Sequence, residues 1–155
     1  MTNTYLVIGG SGLIGTELVN NLRSNGNTVY SCDTNVLEKG QFEVIMNAEF
    51  EDDVTKNIAS VLKKHQKIDG IVNLAYPRNK RFGRKLEDVI APDFIENISS
   101  HLACYFNVMK VASLMLPEMA CSIVNFSSIY GVIPPKFEIY EKTEMTMPVE
   151  YAASK

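Results

Sequence analysis

Residues that build disulfide frameworks and metal sites are scarce in this sequence. Its 155 residues include three cysteines and two histidines. Cys32, Cys104 and Cys121 are far apart and odd in number, and His65 and His101 are also widely separated. This spacing argues against a disulfide framework and against a structural metal site. We therefore predict buried thiols in a reducing cytoplasm and no bound metal.

A strong charge of one sign and a long apolar run are also missing. The formal net charge is -3, and 21% of the residues are charged. That balance gives no reason to expect nucleic acid or an anionic membrane as a partner. No apolar stretch approaches the roughly 20 residues that a membrane helix needs, and the first residues lack the basic start of a signal peptide. We predict a cytoplasmic protein without membrane or nucleic-acid partners.

The sequence does contain a repeated alternation of short apolar strands and amphipathic helices. We predict strands at residues 4–9, 28–32, 42–46, 69–74 and 122–126, and helices at residues 13–24, 51–67, 86–98 and 99–116. Strands separated by helices predict βαβ units and a parallel sheet. The continuous apolar run of the fifth strand is typical of a parallel strand that is covered on both faces. The predicted fold class is therefore α/β, a Rossmann-type doubly wound parallel sheet forming a single domain over residues 1–155.

A glycine-rich segment joins the first predicted strand to the first predicted helix. Glycines let the backbone turn tightly and approach a pyrophosphate, and Gly15 would let the helix pack close to the strand. The phosphates of a dinucleotide would then contact unpaired N–H groups at the positive end of the helix. The predicted cofactor-binding residues of this turn are Gly9, Gly10, Ser11, Gly12, Leu13, Ile14 and Gly15.

Asp33 lies at the end of the second predicted strand, 18 residues after Gly15. An acidic residue at this place accepts hydrogen bonds from the adenosine ribose of a dinucleotide. Its carboxylate would repel a 2′-phosphate, and the glycine turn carries no Arg or Lys to offset that repulsion. These residues favour NAD over NADP as the cofactor. The alternative is an Asp that only caps the end of the strand.

Three further segments carry a resemblance to a known family. Residues 69–75 have the sequence Asp-Gly-Ile-Val-Asn-Leu-Ala, residues 123–131 have Ile-Val-Asn-Phe-Ser-Ser-Ile-Tyr-Gly, and residues 151–155 have Tyr-Ala-Ala-Ser-Lys. Together with the glycine turn, and in this order, they resemble the short-chain dehydrogenase/reductase family along the length of the chain. That family commonly has Asn-Asn-Ala-Gly where this chain has Asn73-Leu74-Ala75-Tyr76. The resemblance places Asn73 and Ala75 in the cofactor-binding segment.

The same resemblance implies a catalytic centre. Tyr151 and Lys155 match the Tyr-x-x-x-Lys motif, and a helix would place them on one face. The ammonium of Lys155 would favour the phenolate of Tyr151, which exchanges a proton with the substrate. Lys155 would also hold the nicotinamide ribose, so both residues are predicted to contact the cofactor. Ser128, three residues before Gly131, would hydrogen-bond the reacting oxygen, while hydride moves directly between nicotinamide and substrate.

The chain departs from the family's pattern in three ways. Many members have an asparagine in the helix before the fifth strand, and alignment puts His101 there. It is either a proton-relay residue or a partly buried helix histidine. The spacing of Gly9, Gly12 and Gly15 is that of the extended branch, which includes sugar-nucleotide epimerases and dehydratases. The stretch between the motif serine and tyrosine is longer than usual, and it forms either a substrate lid or a mobile surface loop.

Five basic residues crowd the loop after the fourth predicted strand, at the edge of the sheet where ligands bind in such folds. They are Arg78, Lys80, Arg81, Arg84 and Lys85. We hypothesise an anionic small-molecule substrate, such as a nucleotide-linked sugar or a sugar acid; the alternative is a solvated basic loop. Residues 73–80 and 147–151 also resemble bacterial members linked to flagellin glycosylation and nonulosonic acid synthesis.

The leading interpretation is an NAD-dependent oxidoreductase that acts on an alcohol or carbonyl substrate. Two alternatives stay open: an NAD-using nucleotide-sugar epimerase or dehydratase, and a non-catalytic dinucleotide-binding fragment. Family members normally continue beyond the motif lysine, so the resemblance implies a domain truncated after the fifth strand and incomplete at its C-terminus. We expect the fifth strand to be an edge that favours a homo-oligomer, and the residues from Pro134 onward to be mobile.

Overall fold

The computed structural model describes residues 2–36, 40–118 and 120–155. Its strands are β1 (Thr4–Ile8), β2 (Thr28–Asp33), β3 (Glu43–Ile45), β4 (Gly70–Asn73) and β5 (Ser122–Asn125). Its α-helices are α1 (Leu13–Ser24), α2 (Glu51–His65), α3 (Ala91–Met115) and α4 (Val149–Ser154). Short 3-10 turns cover Leu86–Asp88, Ile129–Gly131 and Phe137–Tyr140. Within the described residues, no helix is both long and apolar enough to cross a membrane.

The chain divides into two compact units. Unit 1 comprises Met1–Ala75 and Ala103–Phe126, and unit 2 comprises Tyr76–Leu102 and Ser127–Lys155. Unit 1 contains the sheet, α1, α2 and the second part of α3. Unit 2 contains the loop after β4, the first part of α3, the 3-10 turns and α4. The single domain expected over residues 1–155 stays a prediction.

Unit 1 is built on a five-stranded parallel sheet with the strand order β3-β2-β1-β4-β5. In the centre of the sheet, Leu6 of β1 pairs with Tyr30 of β2 on one side and with Ile71 of β4 on the other. Parallel neighbours need crossover connections, which the helices supply. The order of the strands reverses between β1 and β4, which is where ligands bind in open α/β sheets. The predicted α/β fold class is confirmed.

Hydrophobic side chains of unit 1 cover both faces of the sheet. Successive residues of a strand point to opposite faces, so Leu6 and Ile8 pack in one core cluster and Val7 packs in another. The larger cluster includes Val54, Ile58 and Val61 of α2 and Cys104, Val108 and Val111 of α3. The smaller cluster includes Val19 of α1. Helices on both faces fix the doubly wound arrangement and leave the carboxyl edge of the strands for the site.

The prediction of two helices over residues 86–98 and 99–116 is wrong. The structure has one helix of 25 residues, α3, preceded by the 3-10 turn Leu86–Asp88. Pro92 lies in the first turn of the helix, where a proline is tolerated because its missing N–H would have no partner there. No proline or glycine follows within the helix, so nothing interrupts it at Ser99 and Ser100.

The fifth strand is more exposed than its apolar sequence predicts. β5 lies at the end of the strand order and pairs with β4, with Val124 opposite Val72. Ile123 is 37% exposed and Val124 is 47% exposed. The expectation that this strand is covered on both faces is therefore wrong for the structure described. The expectation that it forms an edge of the sheet is confirmed.

Candidate active site

The glycine turn after β1 folds back onto the end of β2. The N–H groups of Gly9 and Gly10 donate to the carbonyl of Cys32 over 2.8 and 3.2 Å, and the N–H of Gly12 donates to the Gly9 carbonyl over 3.1 Å. Gly9 has a φ of 80°, a left-handed conformation that residues with a Cβ adopt at a cost. The turn is therefore closed by its own backbone and depends on glycine at this position.

Gly15 allows α1 to begin directly against this turn. A Cβ on Gly15 would overlap the Gly9 carbonyl oxygen and would lie 2.8 Å from the Cα of Gly10. The sequence predicted a glycine here for close packing of the helix on the strand, and the close contacts in the structure are with Gly9 and Gly10 of the turn that follows the strand. With this glycine, the first turn of α1 lies next to the space outside the carboxyl end of β1.

The beginning of α1 has the features of an anion-binding site. Its N-cap residue is Gly12, which has no side chain to accept the first N–H groups, and its first turn contains no acidic residue. These N–H groups lie at the positive end of the helix dipole. Leu13 is 91% exposed and Ile14 is 55% exposed. The backbone therefore fits the pyrophosphate of a dinucleotide, because glycines clear the approach and the amides supply donors.

Asp33 lies at the end of β2 beside the glycine turn. One carboxylate oxygen, Oδ2, accepts the N–H of Ser11 over 3.0 Å. The other, Oδ1, is 3.4 Å from both the hydroxyl of Thr34 and the N–H of Asn35. The side chain is half-buried. It therefore holds the turn in place and also has the position expected of a ribose-binding carboxylate.

Asn73 and Ala75 mark the end of β4 next to the same turn. The side chain of Asn73 is fully buried, where its Oδ1 accepts the N–H of Ala75 over 3.1 Å and its Nδ2 lies 3.5 Å from the Cys104 carbonyl. A Cβ on Gly9 would come within 3.0 Å of the Ala75 nitrogen. Asn73 thus shapes the chain after β4, and Ala75 lies against the glycine turn. The structure brings all the predicted cofactor-binding residues of unit 1 to one edge of the sheet.

In unit 2, α4 carries the motif tyrosine and lysine. Pro148 is the N-cap residue of this helix, and its carbonyl accepts the N–H of Tyr151 over 3.1 Å. The Nζ of Lys155 lies 5.7 Å from the centre of the Tyr151 ring. Burial lowers the pKa of Lys155 to about 8. The ammonium is therefore still the main form of Lys155 at neutral pH, beside the phenol it is predicted to assist.

Ser127 and Ser128 have different surroundings in unit 2. The hydroxyl of Ser127 donates to the Lys155 carbonyl over 2.7 Å. The hydroxyl oxygen of Ser128 accepts the N–H of Tyr130 over 3.2 Å and caps the 3-10 turn that follows. The Ser128 hydroxyl hydrogen is thus available to donate to another group. The selection of Ser128, and not Ser127, as the catalytic serine stays a prediction.

His101 is completely buried in α3 and is held by α4. Its Nδ1 lies 3.1 Å from the carbonyl of Ser154, so this nitrogen carries the hydrogen. Burial, with the nearby charge of Lys155 as a second cause, lowers the pKa of His101 to about 4. The imidazole is therefore neutral at neutral pH. The role of His101 in a proton relay stays a prediction.

Two residues of unit 2 have roles that sequence reasoning missed. Gly131 lies so close to the motif lysine that a Cβ there would overlap the carbonyl group of Lys155. Tyr76 packs against Tyr151 and His101, with ring centres 5.2 and 4.6 Å apart. The available signal for Tyr76 was its place in a segment where the resembling family commonly has glycine.

The basic loop after β4 is partly neutralised by its own unit. Asp93, buried in the first turn of α3, is 3.2 Å from Arg81 and 3.9 Å from Arg84. The guanidinium carbon of Arg78 lies 5.7 Å from the centre of the Phe82 ring. Two of the five basic residues therefore serve to fasten the loop. The exposed side chains of Arg78, Lys80 and Lys85 are left as candidates for an anionic substrate.

The described cysteines and acidic residues form neither a disulfide nor a metal-binding cluster. All three cysteines are free, and burial raises the pKa values of Cys32 and Cys104 to about 12, which makes both poor nucleophiles. Among the described residues, no cluster of three or more His, Cys, Asp or Glu side chains could hold a metal ion.

Several known proteins are similar to this chain in sequence and in fold. The short chain dehydrogenase family model matches residues 3–155. The post-translational flagellin modification protein A of Campylobacter coli is 28% identical, over 96% of this chain and 64% of the relative. A short chain dehydrogenase of Leptospira borgpetersenii, solved with bound NAD+, is 25% identical with a TM-score of 0.83, over 99% of this chain and 60% of that one. An NAD+-bound xylitol dehydrogenase is 25% identical with a TM-score of 0.79, over 99% and 59%. This chain therefore spans less than two thirds of the length of each of these relatives.

Proposed function

Because this chain belongs to the short chain dehydrogenase family, we propose that it supplies the NAD-binding turn and the catalytic residues of an oxidoreductase. The reaction is hydride transfer between NAD and an alcohol or carbonyl substrate. The observation that carries the proposal is the combination of the glycine turn with the Tyr151–Lys155 pair of α4 and the Ser128 hydroxyl. Each part has the chemistry that its role needs, and the family match extends across all of them.

The cofactor is NAD, and residues of unit 1 would bind its pyrophosphate and adenosine ribose. The amides at the start of α1 hold the pyrophosphate, and Asp33 accepts hydrogen bonds from the adenosine ribose. A 2′-phosphate beside Asp33 would place two negative charges together, so NADP is disfavoured. Two relatives that are 25% identical were solved with NAD+. When bound, the nicotinamide ring supplies the hydride acceptor or donor of the reaction.

The side chains of unit 2 manage the proton. In the direction of alcohol oxidation, Tyr151 reacts as its phenolate. The phenolate oxygen takes the hydroxyl proton of the substrate while the substrate carbon gives up hydride. The ammonium of Lys155 stabilises negative charge on that oxygen, and Ser128 donates a hydrogen bond to the substrate oxygen. His101, which burial keeps neutral, is the residue that we assign to a proton relay. The reverse reaction uses the same groups, with Tyr151 as the proton donor.

The substrate is a small hydroxylated molecule, and a sugar or nucleotide-linked sugar fits best. The Campylobacter coli relative is described as a flagellin modification protein. Arg78, Lys80 and Lys85 expose positive charge on the loop after β4, which would attract an acidic group. A preference for neutral polyols such as xylitol over all acidic sugars would contradict the anionic class. We also propose a cytoplasmic enzyme that assembles as a homo-oligomer.

A second candidate is an epimerase or dehydratase that acts on a nucleotide-linked sugar. The observation that favours it is the spacing of Gly9, Gly12 and Gly15, which resembles that of the extended branch of the family. In such a reaction the hydride returns within one cycle, so no NADH accumulates. Release of NADH, followed by its absorbance at 340 nm, distinguishes the two candidates.

Calorimetry and turnover on the complete protein test the proposal. NAD+ should bind more tightly than NADP+, and Asp33→Ser should reduce that preference at least tenfold. Tyr151→Phe should abolish turnover and leave NAD+ binding in place, whereas the matched variant Tyr140→Phe should keep both. Absence of heat with NAD+ and NADH in the folded protein would remove the assignment.

A further inference from the structure

The geometry of unit 2 points to Tyr76 as a positioning residue of the active site. We propose that its ring holds the Lys155 ammonium and the Tyr151 ring in the arrangement that proton transfer needs. This inference rests on the proposed function, and it adds a residue outside the Ser128, Tyr151 and Lys155 set. It concerns the ring of Tyr76 and not its hydroxyl group.

Tyr76 is the centre of a group of aromatic rings. Its ring centre lies 4.6 Å from His101, 5.2 Å from Tyr151 and 5.5 Å from Phe82. All three pairs are edge-to-face, with interplanar angles of 83°, 80° and 79°. Edge-to-face pairs set a positive ring edge against a negative ring face, and this fixes the orientation of both rings. Tyr151 is therefore oriented by a neighbour that is itself held on two other sides.

The same ring contacts the catalytic ammonium. The Nζ of Lys155 is 5.1 Å from the centre of the Tyr76 ring and 5.7 Å from the centre of the Tyr151 ring. Both distances are within the range of a cation–π interaction. Burial disfavours the charged form of Lys155, and two negative ring faces compensate part of the lost hydration. Tyr76 thus helps to keep a cation beside the phenol that exchanges the proton.

The phenol of Tyr76 does not compete with that of Tyr151. Burial raises the pKa of Tyr76, against a smaller opposite effect of a hydrogen bond from Ser154. Tyr76 therefore stays protonated throughout the ordinary pH range. Replacing its hydroxyl group by hydrogen should leave the arrangement intact, whereas removing the ring should not.

Two departures from the family's pattern meet at this contact. Tyr76 occupies the place where the resembling segment commonly has glycine, and His101 occupies the place of an asparagine. The structure brings these two side chains into edge-to-face contact in unit 2. They therefore form one packed pair, and we expect their substitutions to be coupled and not additive.

Proton and carbon spectra of the complete protein, labelled with 13C-lysine, test the inference without relying on turnover. A methylene group above an aromatic face has an upfield-shifted proton signal, and the Lys155 signal is identified by its loss in Lys155→Arg. We expect an upfield Lys155 Hε signal in the wild type and in Tyr76→Phe, and a move toward the other lysines in Tyr76→Leu. Tyr140→Leu, which removes a different tyrosine ring of unit 2, should leave the signal in place.

Activity provides the second readout, with NAD+ and xylitol as the probe pair. Tyr76→Phe should keep kcat within about threefold, Tyr76→Leu should lower kcat at least tenfold, and the KM for NAD+ should change little in both. An unshifted Lys155 signal in the wild type, or an unchanged one in Tyr76→Leu, overturns the inference. If Tyr76→Leu does not fold, the wild-type and Tyr76→Phe spectra decide. If the wild type does not turn over xylitol, this polyol is excluded as a substrate, and the spectra alone judge Tyr76.

Discussion

At the scale of single residues, burial decides what His101 can do. The side chain is fully buried, and the pKa of about 4 keeps it neutral in the folded protein. An exposed histidine of the unfolded chain has a pKa near 6.5. Between these values the unfolded state binds more protons than the folded state. The stability that depends on a neutral His101 is therefore present above pH 6.5 and is lost as the pH falls toward 4.

We predict that lowering the pH from 7.5 to 5 removes about 2 kcal/mol of unfolding free energy through His101. Urea unfolding at the two pH values measures this loss. His101→Gln should show a smaller difference between the two pH values by that amount, because its side chain does not titrate. An equal loss in wild type and His101→Gln would show that other groups dominate.

Gly131 matters because it has no side chain. A side chain there would overlap the carbonyl group of Lys155. We predict that Gly131→Ala lowers the unfolding free energy by about 1–3 kcal/mol, the usual cost of overpacking. Gly40→Ala is the control, because a Cβ there meets mainly the carboxylate of Glu43, the flexible end of a side chain. Equal stability of the two variants in urea would contradict the close approach at Gly131.

Residue identities could be predicted where the chemistry demands a type at a fixed spacing. Gly15 follows from backbone clearance, which is local. The Tyr151–Lys155 pair was identified through the family resemblance, and helical spacing places its members on one face. Tyr76 could not be found in this way, because its contacts with His101 and Tyr151 join positions 25 and 75 residues away. The pairing of Arg81 with Asp93 was hidden for a similar reason, since only the fold of the loop brings the carboxylate to the guanidinium.

At the scale of elements, the connection between β1 and α1 shows two effects that act in opposite directions. Alanine is more favourable than glycine inside a helix by about 1 kcal/mol. At Gly15, however, a Cβ would overlap the Gly9 carbonyl and press on Gly10. The free-energy cost of this overlap should exceed the gain in helix propensity. Moving the helix away to relieve the overlap would also open the turn that closes on Cys32.

We therefore predict that Gly15→Ala destabilises the protein by about 1–2 kcal/mol and weakens NAD+ binding at least tenfold. Urea unfolding and calorimetry with NAD+ measure the two effects. Thr16→Ala, at the next position of α1, has an exposed side chain and should change neither by much. A more stable Gly15→Ala would mean that helix propensity outweighs the close contact.

Element types followed from periodicity, but one connection did not. The bounds of α1 are as predicted, because Gly12 and Asn25 flank a clear amphipathic pattern. The helix over residues 91–115 was predicted as two, although its backbone has no reason to break at Ser99. Its first part belongs to unit 2, and its second part packs on the sheet of unit 1. Such a change of surroundings cannot be read from a local window.

At the scale of the whole molecule, the sheet ends in a strand with exposed apolar side chains. Ile123 and Val124 of β5, together with Phe126, are each at least 37% exposed. Parallel edge strands also present unpaired backbone groups. The sequence indicated the edge through the family resemblance, whereas the apolar run by itself indicated a covered strand. The strand order places β5 at the edge of the sheet.

We predict that this 155-residue chain self-associates through β5 as its concentration rises. Sedimentation velocity over a range of concentrations measures the association. Val124→Lys should shift the distribution toward monomer, because a lysine on an edge strand opposes strand pairing. Val132→Lys, at an 85% exposed position of unit 2, is the control and should leave the distribution unchanged. A single monomeric species at every concentration would rule this association out.

The Asp33 carboxylate has two roles, the proposed preference for NAD and the shape of the glycine turn. The oxygen that accepts the Ser11 amide also fixes the shape of the glycine turn. A redesign of this protein for NADP would begin by replacing Asp33. The same substitution would loosen the glycine turn that has to bind the pyrophosphate of NADP. Evolution faces the same constraint, so a change of cofactor here needs a second mutation that restores an acceptor for the Ser11 amide before, or together with, the loss of the acid.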